Sequence, residues 1–210
     1  MRALVTGASR GIGAALLSEG HARGHEVAGT RRDEADGWIT LDVTDPAAQV
    51  RAAEASGPID LLVCNAGVFT DRRVALEEMT AEHMADSFAV NVTGVLLTVR
   101  AQLRNLVRGG RIAIISSQMG ASTQAAGNSF AYRASKAAAV NLGLNIAADL
   151  RHRGIAVGIY HPGWVRTDMG GGSAAISAEQ SAQGLWDRFE ALDMDTTGRF
   201  ETYDGRPHPV

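Results

Sequence analysis

Lys136 is the sole lysine of the chain: of 20 lysine and arginine residues, 19 are arginine. An ammonium is a compact point charge on a thin stem, whereas a guanidinium is a planar fork, so the two do not substitute for each other at a tight site. Tyr132 stands four residues earlier, in Tyr132-Arg133-Ala134-Ser135-Lys136. On a helix this spacing places both side chains on one face. An ammonium near a phenol favours the phenolate and lowers its pKa, which would make the pair suited to moving a proton. A lone Tyr-x-x-x-Lys is usually a surface pair. Here that reading must also account for the single lysine and for the serine-ended apolar run that precedes it, Ile114-Ile115-Ser116-Ser117.

A second group of residues points to a phosphate-bearing ligand. Thr6-Gly7-Ala8-Ser9-Arg10-Gly11-Ile12-Gly13 follows the first apolar run and opens the first helical pattern. Gly7 suits a tight turn, Gly11 a close approach of ligand to backbone, and Gly13 close packing of helix on strand. Free N–H groups at the helix start would then face a pyrophosphate. Arg31 and Arg32 follow the second strand, where an acidic residue would hold a ribose 2′-hydroxyl and a basic one favours a 2′-phosphate. Arg10 points the same way, while Asp33 and Glu34 come one or two residues late for the acidic role.

The elements that must position these groups alternate. Residues 3–6, 26–30, 39–41, 59–64, 111–116 and 156–161 read as strands, and residues 12–23, 46–55, 80–107, 130–153 and 178–192 as helices. The pattern predicts a Rossmann-type, doubly wound parallel α/β sheet in a single domain over residues 1–210, with function at the carboxyl ends of the strands. Residues 32–38 are too few for a crossover helix. The helix between strands two and three is therefore expected to be missing, with Trp38 folded over the gap.

Composition narrows the classes. The chain has 210 residues, 45% hydrophobic and 20% charged, with a formal charge of −3. This argues against disorder and against a broad basic surface for nucleic acid. No apolar run is long enough to cross a membrane. Cys64, the one cysteine, cannot form an intrachain disulfide and reads as a core residue. No metal-ligand spacing appears among the six histidines. No signal-peptide pattern opens the sequence, so a cytoplasmic location is the expectation.

In order, the glycine loop, Asp42, Asn65-Ala66-Gly67, Asn91, Ser117, Tyr132 with Lys136, and Pro162-Gly163 make the chain resemble the short-chain dehydrogenase/reductase family over essentially its whole length. Residues 115–120, 132–138 and 161–171 are similar to its C-factor/sniffer-like carbonyl-reductase branch, and Tyr203-Asp204-Gly205 fits as well.

The arginines favour NADP(H) over NAD(H), and the resemblance implies hydride transfer to or from a small-molecule carbonyl or alcohol and a homodimer or homotetramer. It implies Tyr132 as general acid/base and Lys136 on the nicotinamide ribose, Ser117 (with Ser116 as fallback) on the substrate oxygen, and Asn91 bending its helix and holding a relay water. It further implies Asp42, with Val43, at the adenine and Asn65, with Ala66 and Gly67, at its ribose. Gly7, Ser9, Arg10, Gly11, Ile12 and Gly13 would take the phosphates, with Arg31 and Arg32 on the 2′-phosphate. Pro162, Gly163, Val165 and Thr167 would border the nicotinamide. Ser117 lies 15 residues before Tyr132, two more than is usual in the family, which would enlarge the loop at 121–129. A non-catalytic NADP-binding signalling or regulatory protein on the same fold is the alternative, although a pure binder needs no proton donor. The glycine-rich segment 168–177 is expected to be a mobile lid with few polar anchors.

Overall fold

The computed structural model describes residues 1–209, and Val210, the last residue of the expected domain, lies outside the described residues. Seven parallel strands form one sheet in the order β3-β2-β1-β4-β5-β6-β7. They are β1 (Arg2–Val5), β2 (Glu26–Arg31), β3 (Ile39–Thr40), β4 (Ile59–Cys64), β5 (Leu106–Ile115), β6 (Ala156–His161) and β7 (Phe200–Thr202). Helices cover both faces: α1 (Gly11–Ala22), α2 (Pro46–Ser56), α3 (Ala81–Phe88), α4 (Gly94–Gln102), α5 (Phe130–Leu150) and α6 (Ala178–Ala191).

The central strands are apolar on alternate residues toward both helical layers, as a sheet covered on both sides requires. Val5, Leu61, Val63 and Ala113 pack with Leu16 of α1 and Leu185, Trp186 and Phe189 of α6. Leu4, Leu62, Ile112 and Ile114 pack on the other side with Val95 and Val99 of α4 and Ala147 and Leu150 of α5. The switch in strand order falls between β1 and β4, so their carboxyl ends open the crevice in which ligands of this architecture sit.

Two expectations about elements need correction. The helix expected over residues 80–107 is broken. α3 ends at Phe88, a π-helical segment spans Ala89–Thr93, and α4 stops at Gln102. Residues 106 and 107 already belong to β5, where Leu106 pairs with Ile59 across a register shift in β4. Apolar spacing alone ran through the π segment because the widened turn keeps the chain helical. β7 was not expected; its three residues are too short to show alternation, yet Ile159, Tyr160 and His161 pair with it.

No helix lies between β2 and β3. Trp38 packs against the α1/α6 side of the core, and a Cβ added at Gly29 would lie 2.8 Å from its ring. The indole thus covers the strand where a crossover helix would otherwise rest, with the Arg31 guanidinium 6.0 Å from its ring centre. Trp38→Ala should lower unfolding free energy in denaturant titration by about 1–3 kcal/mol, less than a fully buried tryptophan loses, because Trp38 is only partly buried. An unchanged midpoint would mean that Trp38 does not substitute for the missing helix.

Candidate active site

The glycine loop is held from two sides. Gly7 N donates to Thr30 Oγ1 at 3.2 Å and Ala8 N to Thr30 O at 2.9 Å, which seats the loop beside the end of β2. Asn65 Nδ2 donates to Thr6 O at 2.9 Å and Gly7 O at 3.1 Å, and Thr6 Oγ1 accepts from Asn65 N and Ala66 N. Gly11 has φ +57°, a conformation costly for other residues. A Cβ at Gly13 would lie 2.7 Å from Asn65 Nδ2, so only glycine lets helix and loop approach this closely. Arg10, the N-cap residue of α1, caps no amide with its side chain. First-turn N–H groups of a helix stand ready for an external anion.

The three arginines are placed differently from one another. Arg31 lies against Trp38, 3.8 Å from the Asp33 carboxylate, and its Nε is buried with no hydrogen-bond partner. Arg32 is exposed and helps hold the Asp42 carboxyl below its usual range, after the hydrogen bonds from Thr44 N and Oγ1 to that carboxylate. Arg10 turns the other way and pairs with Asp168 at 3.1 Å, both side chains being largely exposed. Ser9 is exposed and Ile12 half-buried, while Val43 is buried against Leu41 and Ala48.

The remaining expected residues meet at the ends of β4, β5 and β6. Tyr132 and Lys136 lie on one face of α5 and are both buried, with Nζ 5.7 Å from the centre of the phenol ring. Lys136 Nζ donates to Ile115 O at 3.0 Å. Burial pushes the Lys136 ammonium down to about 8. Burial likewise pushes the Tyr132 phenol up to about 12, with a hydrogen bond to Ser117 pulling the other way. Burial, the largest influence on the phenol, outweighs the lowering expected from the four-residue spacing. The phenol is therefore protonated at neutral pH.

Ser117 and Ser116 separate cleanly. Ser117 hydrogen-bonds Tyr132 and accepts from Met119 N at 3.1 Å. Ser116 Oγ instead donates to Lys136 O at 2.8 Å and ties β5 to α5. Asn91, buried in the π segment, accepts from Val68 N at 2.9 Å and donates to Val68 O and Ser135 Oγ, each at 3.0 Å. Gly67 lies beneath them: a Cβ there would come within 3.2 Å of Asn91 Oδ1 and 3.5 Å of Lys136 Nζ.

After β6, Ser181 donates to Pro162 O, Gly163 packs under Ile176, and Val165 is buried. Thr167 Oγ1 accepts from Gly170 N, and its methyl would lie 3.3 Å from a Cβ at Gly11. Segment 168–177 is held to its surroundings through its backbone carbonyls. Arg72 donates to Met169 O, Trp164 Nε1 to Gly170 O at 2.9 Å, and Arg166 to Ala174 O at 3.0 Å. Backbone carbonyls of the segment, Gly170 among them, accept from neighbours, which sequence reading of the segment alone could not show.

Sequence reading missed Thr6, Thr30, Ser135 and Asp71, whose roles depend on partners far along the chain. Phe69 was missed as well; its ring stacks on Tyr132 at 4.2 Å with an interplanar angle of 16°. The cradle fits a dinucleotide phosphate. It has open amides at the start of α1, side-chain-free Gly11 and Gly67 beneath the crevice, and a buried unpartnered Arg31 Nε at its far end.

The family model for short chain dehydrogenases matches residues 1–176. C-signal of Myxococcus xanthus is 37% identical over 157 residues, covering 73% of this chain and 94% of that protein. The 3-oxoacyl-[acyl-carrier-protein] reductase FabG of Escherichia coli is 36% identical over 200 residues, 86% of this chain and 78% of that enzyme. The crystal structure of NADPH-bound carbonyl reductase from chicken fatty liver superposes with a TM-score of 0.92 at 28% identity, covering 100% of this chain and 98% of that one. The fold is that of an oxidoreductase family. The chain belongs to the short-chain dehydrogenase family and resembles its carbonyl-reductase-like branch.

Because Lys136 is the sole lysine, a protein grown on carbon-13-labelled lysine gives a single Cε resonance. Its titration in the cofactor-free protein should have a midpoint near 8, charged below and neutral above. A midpoint at the ordinary lysine value of 10.5 would show the ammonium to be solvated.

Proposed function

We propose that this protein is an NADPH-dependent carbonyl reductase, a single NADP-binding domain over residues 1–210 that acts as a homodimer or homotetramer in the cytoplasm. The observation that carries the reading is Tyr132: a buried phenol, protonated at neutral pH, hydrogen-bonded to Ser117 and next to the sole lysine of the chain. The dinucleotide, when bound, supplies the hydride. Tyr132 delivers the proton to the carbonyl oxygen as negative charge develops there, and Ser117 holds that oxygen by hydrogen bonding. Lys136 holds the nicotinamide ribose and stabilises the phenolate left behind. Asn91, fixed to Val68 and Ser135, orients the route by which Tyr132 regains its proton. In the oxidative direction Tyr132 must first lose its proton and act as the base.

Gly7, Ser9, Gly11, Ile12 and Gly13 cradle the pyrophosphate in this reading, Asp42, Val43, Asn65, Ala66 and Gly67 line the adenosine side, and Pro162, Gly163, Val165 and Thr167 flank the nicotinamide. Arg31 pairs with the 2′-phosphate, aided by Arg32; Arg10 joins them by leaving Asp168. The half-exposed Trp164 and Met169 at the mouth suit apolar or aromatic carbonyl substrates. C-signal's likeness supports a second reading, a non-catalytic NADP-binding signalling or regulatory protein. Asn91, Ser117, Tyr132 and Lys136 together favour catalysis, since binding alone needs no proton donor.

Tyr132→Phe keeps the volume and removes the proton donor; kcat with NADPH and an aromatic aldehyde should fall by about 10²–10⁴-fold while NADPH still binds. Lys136→Arg should fail similarly, because a fork does not fit an ammonium site. A near wild-type rate in the arginine variant would contradict the role given to Lys136. Wild type should prefer NADPH over NADH, and Arg31→Asp should shrink that preference. Equal kcat/KM for the two cofactors in wild type would contradict the 2′-phosphate assignment.

A further inference from the structure

The helix that carries Tyr132 begins at an end its own sequence leaves uncapped. Ser129, at the N-cap of α5, sits in the left-handed region with φ 54° and makes no side-chain cap. By contrast Asp45, Thr80 and Ser177 cap α2, α3 and α6 from the adjoining residue. The cap of α5 comes from the loop after β4. Asp71 Oδ2 accepts from Ala131 N at 2.7 Å and Oδ1 from Tyr132 N at 3.2 Å. This side chain is fully buried. Burying a carboxylate is costly unless hydrogen bonds satisfy it, and two amides at the positive end of a 21-residue helix do so.

The same loop carries Asn65-Ala66-Gly67, is held by Asn91 at Val68, and lays Phe69 on the Tyr132 ring. It therefore meets Tyr132 at backbone and ring together. We propose that Asp71 is a positioning residue for Tyr132: it fixes the first turn of α5, and with it the height of the phenol above Gly67 and beside Lys136. This rests on the reading of Tyr132 as proton donor. Without Asp71 the first turn is free to fray. Tyr132 is the third residue of α5 and moves with it, whereas Lys136, a turn later, stays tied to Ile115. The proton donor would shift while the groups facing the cofactor keep their places.

The test compares Asp71→Ala and Asp71→Asn in the full chain. The readouts are kinetics with NADPH and an aromatic aldehyde, NADPH affinity by fluorescence, and amide hydrogen exchange at Ala131 and Tyr132. A misplacement of about 1 Å costs on the order of 10²-fold, so kcat should fall by about that factor in Asp71→Ala, with NADPH affinity and KM unchanged. Asp71→Asn keeps one acceptor oxygen and should lose less. Exchange at both amides should rise in both variants, while the middle of α5 stays protected. A folded Asp71→Ala with wild-type kcat would overturn the proposal, whatever its exchange. Should the alanine variant fail to fold, the asparagine variant decides: a lowered Tm with unchanged kcat would make Asp71 merely structural and overturn the proposal. Were wild type itself inactive on carbonyls, the functional reading would fall. The exchange arm would still judge Asp71, and unchanged protection at Ala131 and Tyr132 would refute the anchoring.

Discussion

One buried amide joins the parts of this molecule that must stay in register. Asn91 is 1% exposed, and a primary amide taken out of water must be hydrogen-bonded or it costs several kcal/mol by transfer scales, about 1–3 by mutational ones. It is satisfied by accepting from Val68 N and donating to Val68 O and Ser135 Oγ. Those partners lie on the loop after β4 and on α5, so this side chain ties the floor of the crevice to the helix of Tyr132 and Lys136. The backbone around it gives way instead: residues Ala89–Thr93 widen into a π segment between α3 and α4. Such segments occur often at functional sites, where they turn a side chain inward at the expense of regular bonding.

From that tie the rest follows in layers. Lys136 lies beyond Ser135 and reaches the Ile115 carbonyl, while Ser116 reaches back to the Lys136 carbonyl, so β5 and α5 are linked in both directions. Thr6 and Asn65 do the same between β1, β4 and the glycine loop. The crevice is thus built from strand ends cross-linked by short polar side chains. It lies above a core whose two apolar layers are sealed by Trp186 and Phe189 on one side and by Val99, Leu150 and Val157 on the other.

Much of this was legible in the sequence, and what was not has physical causes. Strand-ending glycines, asparagines and serines show through local composition, so the sheet, the glycine loop and the Tyr132/Lys136 pair could be read, and the seven residues at 32–38 foretold the absent helix. Apolar spacing did not show the broken helix at 89–93, because it is nearly the same through a π turn; only the resemblance implied a bend at Asn91. β7 was too short to show a period. Asp71 sits in a charged stretch, Asp71-Arg72-Arg73, that matches no motif, and only the return of α5 to that loop makes it a buried cap. The Tyr132 phenol shows how far spacing can mislead. Four residues place an ammonium on the same face, but burial is the largest influence on both groups.

The central claim is that Tyr132 protonates a carbonyl as hydride arrives from NADPH. Mixing the wild-type protein with NADPH deuterated at the transferable position and a panel of aromatic aldehydes, ketones and quinones tests it directly. The account predicts that the NADPH is oxidised and that the deuterium is recovered on the carbinol carbon of alcohol products. Tight NADPH binding with no oxidation by any member of the panel would contradict it and favour a protein that binds the dinucleotide without using it.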